Sequence, residues 1–276
     1  MNKILCPIDF SDVSLNALEF AVAIGKKFHS RITLLHVFTE KDFNKAMGAE
    51  VKGKSFKEMM GIAKGKMEAI CRTINNEAQP DGIKVCDYYL ELGELIDKVK
   101  EVATEEKYDL IVTGTTGVSR TDGIFFGSNT EDMLEDIRKP ILCIPENATF
   151  KGFNRMVYGS DFLEEDRMAI QDVISLATMF DARIDVVHIN LGESDREYKQ
   201  FTEELKSFIT YNKITFLNRR FDNIGDGLNT YMKESGADLL VAFKRKRNIV
   251  ESIFGKSFTR ILSYSTDKPL LVLKLN

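Results

Sequence analysis

The stretch Asn2-Lys3-Ile4-Leu5-Cys6-Pro7-Ile8-Asp9-Phe10 returns 152 residues later as Asn154-Arg155-Met156-Val157-Tyr158-Gly159-Ser160-Asp161-Phe162, with Asn, Asp and Phe in the same places. The same offset sets Ile32 against Ile184, and His36 of the run Leu34 to Val37 against His188 of the run Val186 to Ile189. Further on, Asp109-Leu110-Ile111-Val112 matches Asp238-Leu239-Leu240-Val241, and Lys139-Pro140 matches Lys268-Pro269, at an offset of 129. Because the offset falls from 152 to 129, the second copy is shorter by 23 residues between its second and fourth strands. A period of this length points to duplicated domains and not to a solenoid, whose units run to roughly 20–50 residues. At 276 residues the chain also suits two domains of about 100–150 residues, each able to bury a core. The boundary is expected near Pro145 to Phe153, which gives domains at 1–148 and 152–276.

Each copy alternates short β-rich runs with segments of helical period, the pattern of βαβ units and a parallel sheet, so the fold class is α/β. In the first copy strands are expected at residues 3–8, 31–38, 83–90, 109–113 and 141–144. Leu15, Leu18, Ala21, Val22 and Phe28 fall at helical spacing after Ser11 or Ser14 as N-cap, and further helices are expected at 56–79, 94–106 and 129–138. The second copy is expected to place strands near 154–158, 183–189, 213–220, 238–242 and 270–273.

With 38 basic and 42 acidic side chains, the net charge of −4 gives no overall field to gather nucleic acid or anionic lipid. Any anion site must be local. No apolar stretch reaches the ~18 residues that span a bilayer, and the amino terminus lacks the apolar core of a signal peptide, so a cytoplasmic location is expected. Cys6, Cys71, Cys86 and Cys143 show no C-x-x-C spacing, and buried reduced thiols are the simplest account.

After the fourth expected strand come Gly114-Thr115-Thr116-Gly117, nine residues, and then Gly127-Ser128 at the head of an expected helix. In this G-x2-G-x9-G-S pattern, two glycines at a strand's carboxyl end let backbone N–H groups approach an anion with no Cβ in the way. The third glycine and Ser128 present the free N–H groups and positive dipole end of a helix. Phosphate is the expected guest. Asp9, ending the first strand, would lie beside this loop if the first and fourth strands are neighbours, and its carboxylate suits ribose hydroxyls better than phosphate.

The stretch Ile4 to Ser14, the Leu34 to Val37 run, the segment Asp109 to Gly117 through Phe125 to Leu134, and Pro140 to Pro145 resemble the universal stress protein family over almost the whole first copy. The second copy resembles it more weakly, so the whole is similar to a tandem member with two UspA-like domains. The resemblance implies an adenine nucleotide alpha hydrolase-like fold: open parallel five-stranded sheets of order 3-2-1-4-5 with helices on both faces. It further implies pairing of two domains, which a tandem chain can achieve within itself or in a homodimer, and ATP binding by members that carry G-x2-G-x9-G-[ST]. Carried over by position, it puts the base near Pro7, Ile8 and Val37, with Thr113 walling it. The ribose then falls near Asp9 and Gly114, and the phosphates on Gly117, Gly127, Ser128 and Asn129.

The second copy departs from this pattern. Phe243 and Lys246 stand at the positions of Gly114 and Gly117, inside Phe243-Lys244-Arg245-Lys246-Arg247, and Gly255 is one residue out of register. Side chains there would fill the phosphate space, so no nucleotide is expected in the familiar pose. The basic run from Lys244 to Arg247 is more simply a solvated loop than a replacement anion site. Asp161 is read as a helix cap. His36 and His188, without Cys, Asp or Glu at ligand spacing, are read as structural histidines. The extra segment Lys41 to Lys66, with Met47, Met59 and Met60, is read as a surface loop leading into a long helix, with a partner-binding flap as the alternative.

The leading functional expectation is a stress-response regulatory protein that binds an adenine nucleotide, ATP or another adenylate with or without magnesium, in its first domain only, and signals to a regulatory protein partner. No nucleic-acid or membrane partner is expected. Two alternatives stand beside it: a slow ATP hydrolase, for which Arg120 and Asp122 are the available charged groups, and a non-binding scaffold with vestigial pockets. Enzymatic activity is left open, with at most weak ATPase and no catalytic residue assigned.

Overall fold

The computed structural model describes residues 1–38, 56–78, 85–115, 128–162, 165–192, 194–244 and 268–274. They divide into two compact units, one drawn from residues before Lys151 and the other from Lys151 onward. The first contains β1 (Lys3–Pro7), α1 (Asp12–Phe28), β2 (Arg31–Phe38), α2 (Phe56–Ala78), β3 (Cys86–Leu92), α3 (Leu95–Glu105), β4 (Leu110–Thr115), α4 (Ser128–Asp136) and β5 (Ile141–Pro145). Its strands are parallel in the order β3-β2-β1-β4-β5. The second contains β6 (Arg155–Gly159), α5 (Glu165–Phe180), β7 (Arg183–Asn190), α6 (Asp195–Phe208), β8 (Ile214–Arg220), α7 (Ile224–Ser235), β9 (Leu239–Lys244) and β10 (Leu270–Lys274). Its strands are parallel in the order β8-β7-β6-β9-β10. Counted within itself, each unit therefore has the order 3-2-1-4-5.

Central strands of parallel sheets are covered on both faces and need continuous apolar runs. Accordingly Ile4, Leu5 and Cys6 of β1 and Met156, Val157 and Tyr158 of β6 are fully buried. The amino ends of these strands are tied in the same way in both units. Asp109 Oδ2 accepts from the backbone N–H groups of Asn2 and Lys3, and Asp238 Oδ2 accepts from those of Asn154 and Arg155 at 2.8 and 3.1 Å. Left-handed residues also recur at the 152 offset. Phe10 and Phe162 have φ of 65° and 63°, and His29 and Asp181, just past α1 and α5, have 54° and 58°.

Ser11 is the N-cap of α1, its Oγ accepting from Ser14 N. The buried face of α1 comprises Ser14, Ala17, Leu18, Phe20, Ala21, Ile24 and Gly25, while Leu15, one of the apolar residues at helical spacing, is exposed. The third strand, expected over 83–90, runs among the described residues from Cys86 to Leu92, with Val85 outside it and residues 83–84 outside the described residues. Its start is set by Asn75 of α2, whose Oδ1 accepts from Val85 N and Cys86 N at 2.8 Å each while Nδ2 donates to Cys86 O at 2.9 Å. Its end is set by the ladder with β2, which runs from Ile32↔Cys86 to Phe38↔Leu92. Within α2, Met59 is buried with Phe38 and Ala63, which makes it a core residue, whereas Met60 is exposed. Met47 lies outside the described residues.

Candidate functional site

In a sheet of order 3-2-1-4-5 the chain reverses its direction of progress between β1 and β4, and a crevice opens beyond the carboxyl ends of those strands. Pro7 ends β1, buried, and Ile8 follows at 4% exposure, its N–H donating to Leu35 O at 2.9 Å. The register Ile4↔Leu110 and Leu5↔Ile111, extended two residues, sets Pro7 beside Thr113. Val37 lies near the end of β2, half-buried. Thr113 is buried, its hydroxyl reaching the Gly114 carbonyl at 3.5 Å. Six of the ten residues expected in the site, Pro7, Ile8, Asp9, Val37, Thr113 and Gly114, thus come together at one end of three adjacent strands. Ser128 and Asn129 open α4, both exposed. Gly117 and Gly127 lie outside the described residues, as do Arg120 and Asp122.

Gly114 has a packing role that the loop pattern did not reveal. A Cβ there would stand 2.6 Å from Val13 Cγ1 and 2.7 Å from the Val13 carbonyl oxygen, because the first turn of α1 crosses directly over the end of β4. The Gly114 carbonyl also accepts from Thr130 Oγ1 at 3.2 Å. Thr130, buried in the first turn of α4, therefore fixes that helix start to the end of β4 and holds Ser128 and Asn129 in place. Sequence reasoning missed Thr130, since a threonine inside a helix has no signal of its own.

Asp9 is exposed and sits just before the helix cap, where its Oδ1 accepts from Ser11 N at 3.0 Å and Ser11 Oγ at 2.5 Å. Burial by its neighbours works to raise the carboxyl pKa, but the hydrogen bonds from Ser11, with Ser14 and the Asp9 backbone adding to them, outweigh it and hold the group below the usual carboxylate range. Asp9 is thus an ionised carboxylate at the strand end. His36 donates from Nδ1 to the Ile8 carbonyl at 2.7 Å, with Nε2 buried and without a hydrogen-bond partner among the described residues. Burial lowers its pKa against that bond and the Asp9 charge, so the imidazole stays neutral. His188 repeats the bond, from Nδ1 to Ser160 O at 3.0 Å. Both histidines act structurally, tying the second strand of each unit to the end of the first.

The corresponding end of the second unit is built differently. Tyr158 replaces Cys6, Ser160 replaces Ile8, Asp166 replaces Ser14 and Phe243 replaces Gly114. Asp166, 1% exposed, accepts from Tyr158 Oη at 2.6 Å, Ser160 Oγ at 2.8 Å and Asp161 N at 3.2 Å. The last of these is the counterpart of the Asp9 N to Ser14 Oγ bond of 3.3 Å in the first unit. Phe162 packs against His188, Tyr198 and Phe201, with ring centroids 4.2, 5.3 and 4.9 Å apart. The expected capping role of Asp161 falls at residues 163–164, outside the described residues, as does the basic run after Lys244. A cavity of about 300 Å³ in this unit, lined by Lys206, Ile209, Tyr211, Ile214, Thr215 and Phe216, lies at the amino-terminal end of β8, away from the carboxyl ends of β6 and β9.

Sheet order, the glycine at the end of β4 and the helix start tied to it define a doubly wound α/β protein whose candidate site lies at the carboxyl ends of the first and fourth strands. The chain belongs to the universal stress protein family, whose model matches residues 1–145. Two universal stress proteins of Methanocaldococcus jannaschii, MJ0531 and MJ0577, are 30% and 28% identical to it over 142 and 152 residues. Each match covers 51% of this chain, with 81% and 93% of the respective relative. The crystal structure of a universal stress protein from Archaeoglobus fulgidus superposes with a TM-score of 0.77 at 18% identity, covering 99% of this chain and 98% of that one. That likeness is one of fold.

Proposed function

We propose that the chain is a stress-response regulator that binds one adenine nucleotide, with ATP as the leading candidate, in a domain formed by residues 1–148, while residues 152–276 are a degenerate copy that holds none. The observation that carries this reading is the contrast between matching strand ends. At the ends of β1 and β4 and the start of α1 the first unit carries Cys6, Ser14 and Gly114; in the second the same positions carry Tyr158, Asp166 and Phe243, and the hydroxyl and carboxylate of the first two bond each other.

In this reading the start of α4 offers N–H groups and a positive dipole end to phosphate, joined by the Gly117 and Gly127 backbone. Pro7, Ile8, Val37 and Thr113 give the adenine an apolar wall. Asp9 accepts from a ribose hydroxyl, using lone pairs that Ser11 leaves free. A magnesium ion would be held by phosphate oxygens and water, since the described residues contain no cluster of three His, Cys, Asp or Glu side chains placed for a metal. Purified protein should be denatured and any released nucleotide identified by chromatography and counted per chain. One adenine nucleotide per chain is expected. Two would refute the asymmetry, and none, together with no ATP-induced rise in melting temperature, would refute binding.

A further inference from the structure

We propose that Cys71 and Cys86 form a redox-active pair, converted by a hydroperoxide into an intramolecular disulfide that joins α2 to the start of β3. The proposal is independent of nucleotide binding. It rests on geometry that neither cysteine shows in the sequence, where they are separated by fourteen residues and share no motif. Their Sγ atoms are 3.1 Å apart, so each thiol is the other's hydrogen-bond partner. A disulfide requires an approach of only about 1 Å more, to ~2.05 Å.

The backbones on both sides are already fixed for this approach. Asn75, one helical turn beyond Cys71 on α2, makes three hydrogen bonds to the backbone of Val85 and Cys86. Cys86 is also locked into the β2 ladder opposite Ile32. Closing the bond therefore demands side-chain rotation and little backbone movement. The hydrogen bond shared with Cys71 and then burial favour the protonated form of Cys86. Cys71 is the more accessible of the two, at 6% exposure against 2%.

These features order the steps. The Cys71 sulfur attacks the peroxide oxygen, is oxidised to a sulfenic acid, and the O–O bond breaks with release of water from hydrogen peroxide. The Cys86 sulfur then attacks the Cys71 sulfur. The sulfenic hydroxyl leaves with the Cys86 proton as a second water, and the S–S bond forms. Two thiols lose two electrons in all, and the peroxide gains them.

Native protein should be treated with hydrogen peroxide, quenched, denatured, alkylated and digested. The expected product is one cross-linked peptide pair containing Cys71 and Cys86, about 2 Da lighter than the two reduced peptides together. Free thiols should fall from four to two per chain and recover with dithiothreitol. The Cys86→Ser variant should instead accumulate sulfenic acid at Cys71, captured by a cyclic diketone. Three results would overturn the proposal: a cross-link from either residue to Cys6 or Cys143, oxidation of Cys71 past the sulfenic stage with no cross-link in the unsubstituted chain, or full alkylation of both after peroxide. The peptide map of the unsubstituted protein decides the question even where a variant fails to fold.

Discussion

Gly114 shows how one residue can answer two demands. The loop spacing read it as clearance for an anion, but the Val13 backbone and side chain lie so close that a methyl group would already collide. Gly114→Ala should therefore destabilise the folded chain by ~1–3 kcal/mol, seen as a lower urea midpoint at unchanged slope, whether or not ligand is present. A midpoint equal to that of the unsubstituted chain would show that α1 can stand off β4. A second prediction concerns Asp166. Burial first and the nearby charge of Asp161 second raise its carboxyl to about 6, against hydrogen bonds from Tyr158 and Ser160 that lower it. Its unfolded value is about 3.9, so between roughly pH 4 and 6 the native chain binds more protons than the unfolded chain. Stability from this group is thus full at low pH and is lost as pH rises through that window, by an amount on the order of 3 kcal/mol. Denaturant midpoints measured across the window should fall more steeply for the native sequence than for Asp166→Asn, and parallel curves would remove the assignment. Neither the Val13 contact nor the Asp166 network was legible in the sequence, because each depends on how a helix start sits over a strand end.

Elements, by contrast, were largely legible. Alternating apolar runs and helical spacings located the strands and helices, because the period of the apolar pattern is set by backbone geometry alone, and the motif order puts the candidate site at the ends of β1 and β4. The third strand was misplaced because Val85 looks like a strand residue, whereas the pairing that decides the bounds among the described residues comes from Asn75 and from the length of β2. Leu15 misled for a similar reason, since helical spacing marks a stripe without saying how wide the covered face is. The start of α1 provides a test at this scale. Ser11 caps the helix and holds Asp9 through both its N–H and its hydroxyl. Ser11→Ala removes the cap and one of those bonds, and should cost about 1 kcal/mol of stability. It should also weaken nucleotide binding, because the Asp9 carboxylate loses an anchor. Unfolding by urea and nucleotide titration of the same variant report the two effects separately, and a stability loss with unchanged affinity would separate Asp9 from the ligand.

Across the whole molecule, the two units keep one strand order, the same left-handed phenylalanine after the first strand and the same histidine tie, while the strand ends that would meet a ligand differ. The scaffold features are backbone requirements of the fold and must persist wherever the fold does. A glycine at the end of β4 is not such a requirement, since the second unit, with Phe243 there, keeps the same strand order. If binding is the property that separates the units, matched substitutions should act unequally. Asp9→Asn keeps an oxygen to accept from Ser11 but removes the charge, and a charge-assisted bond to a ribose hydroxyl is worth ~1.5–3 kcal/mol. Affinity for ATP should then fall about 10- to 100-fold. Asp161→Asn makes the same chemical change at the matching position beside Tyr158 and Asp166, and should leave affinity and stoichiometry unaltered. Isothermal titration of both variants against the unsubstituted chain checks this directly. Equal losses in the two variants would mean that both units hold nucleotide, and no loss in either would move the ribose away from Asp9 while leaving the phosphate contacts at α4 to be tested on their own.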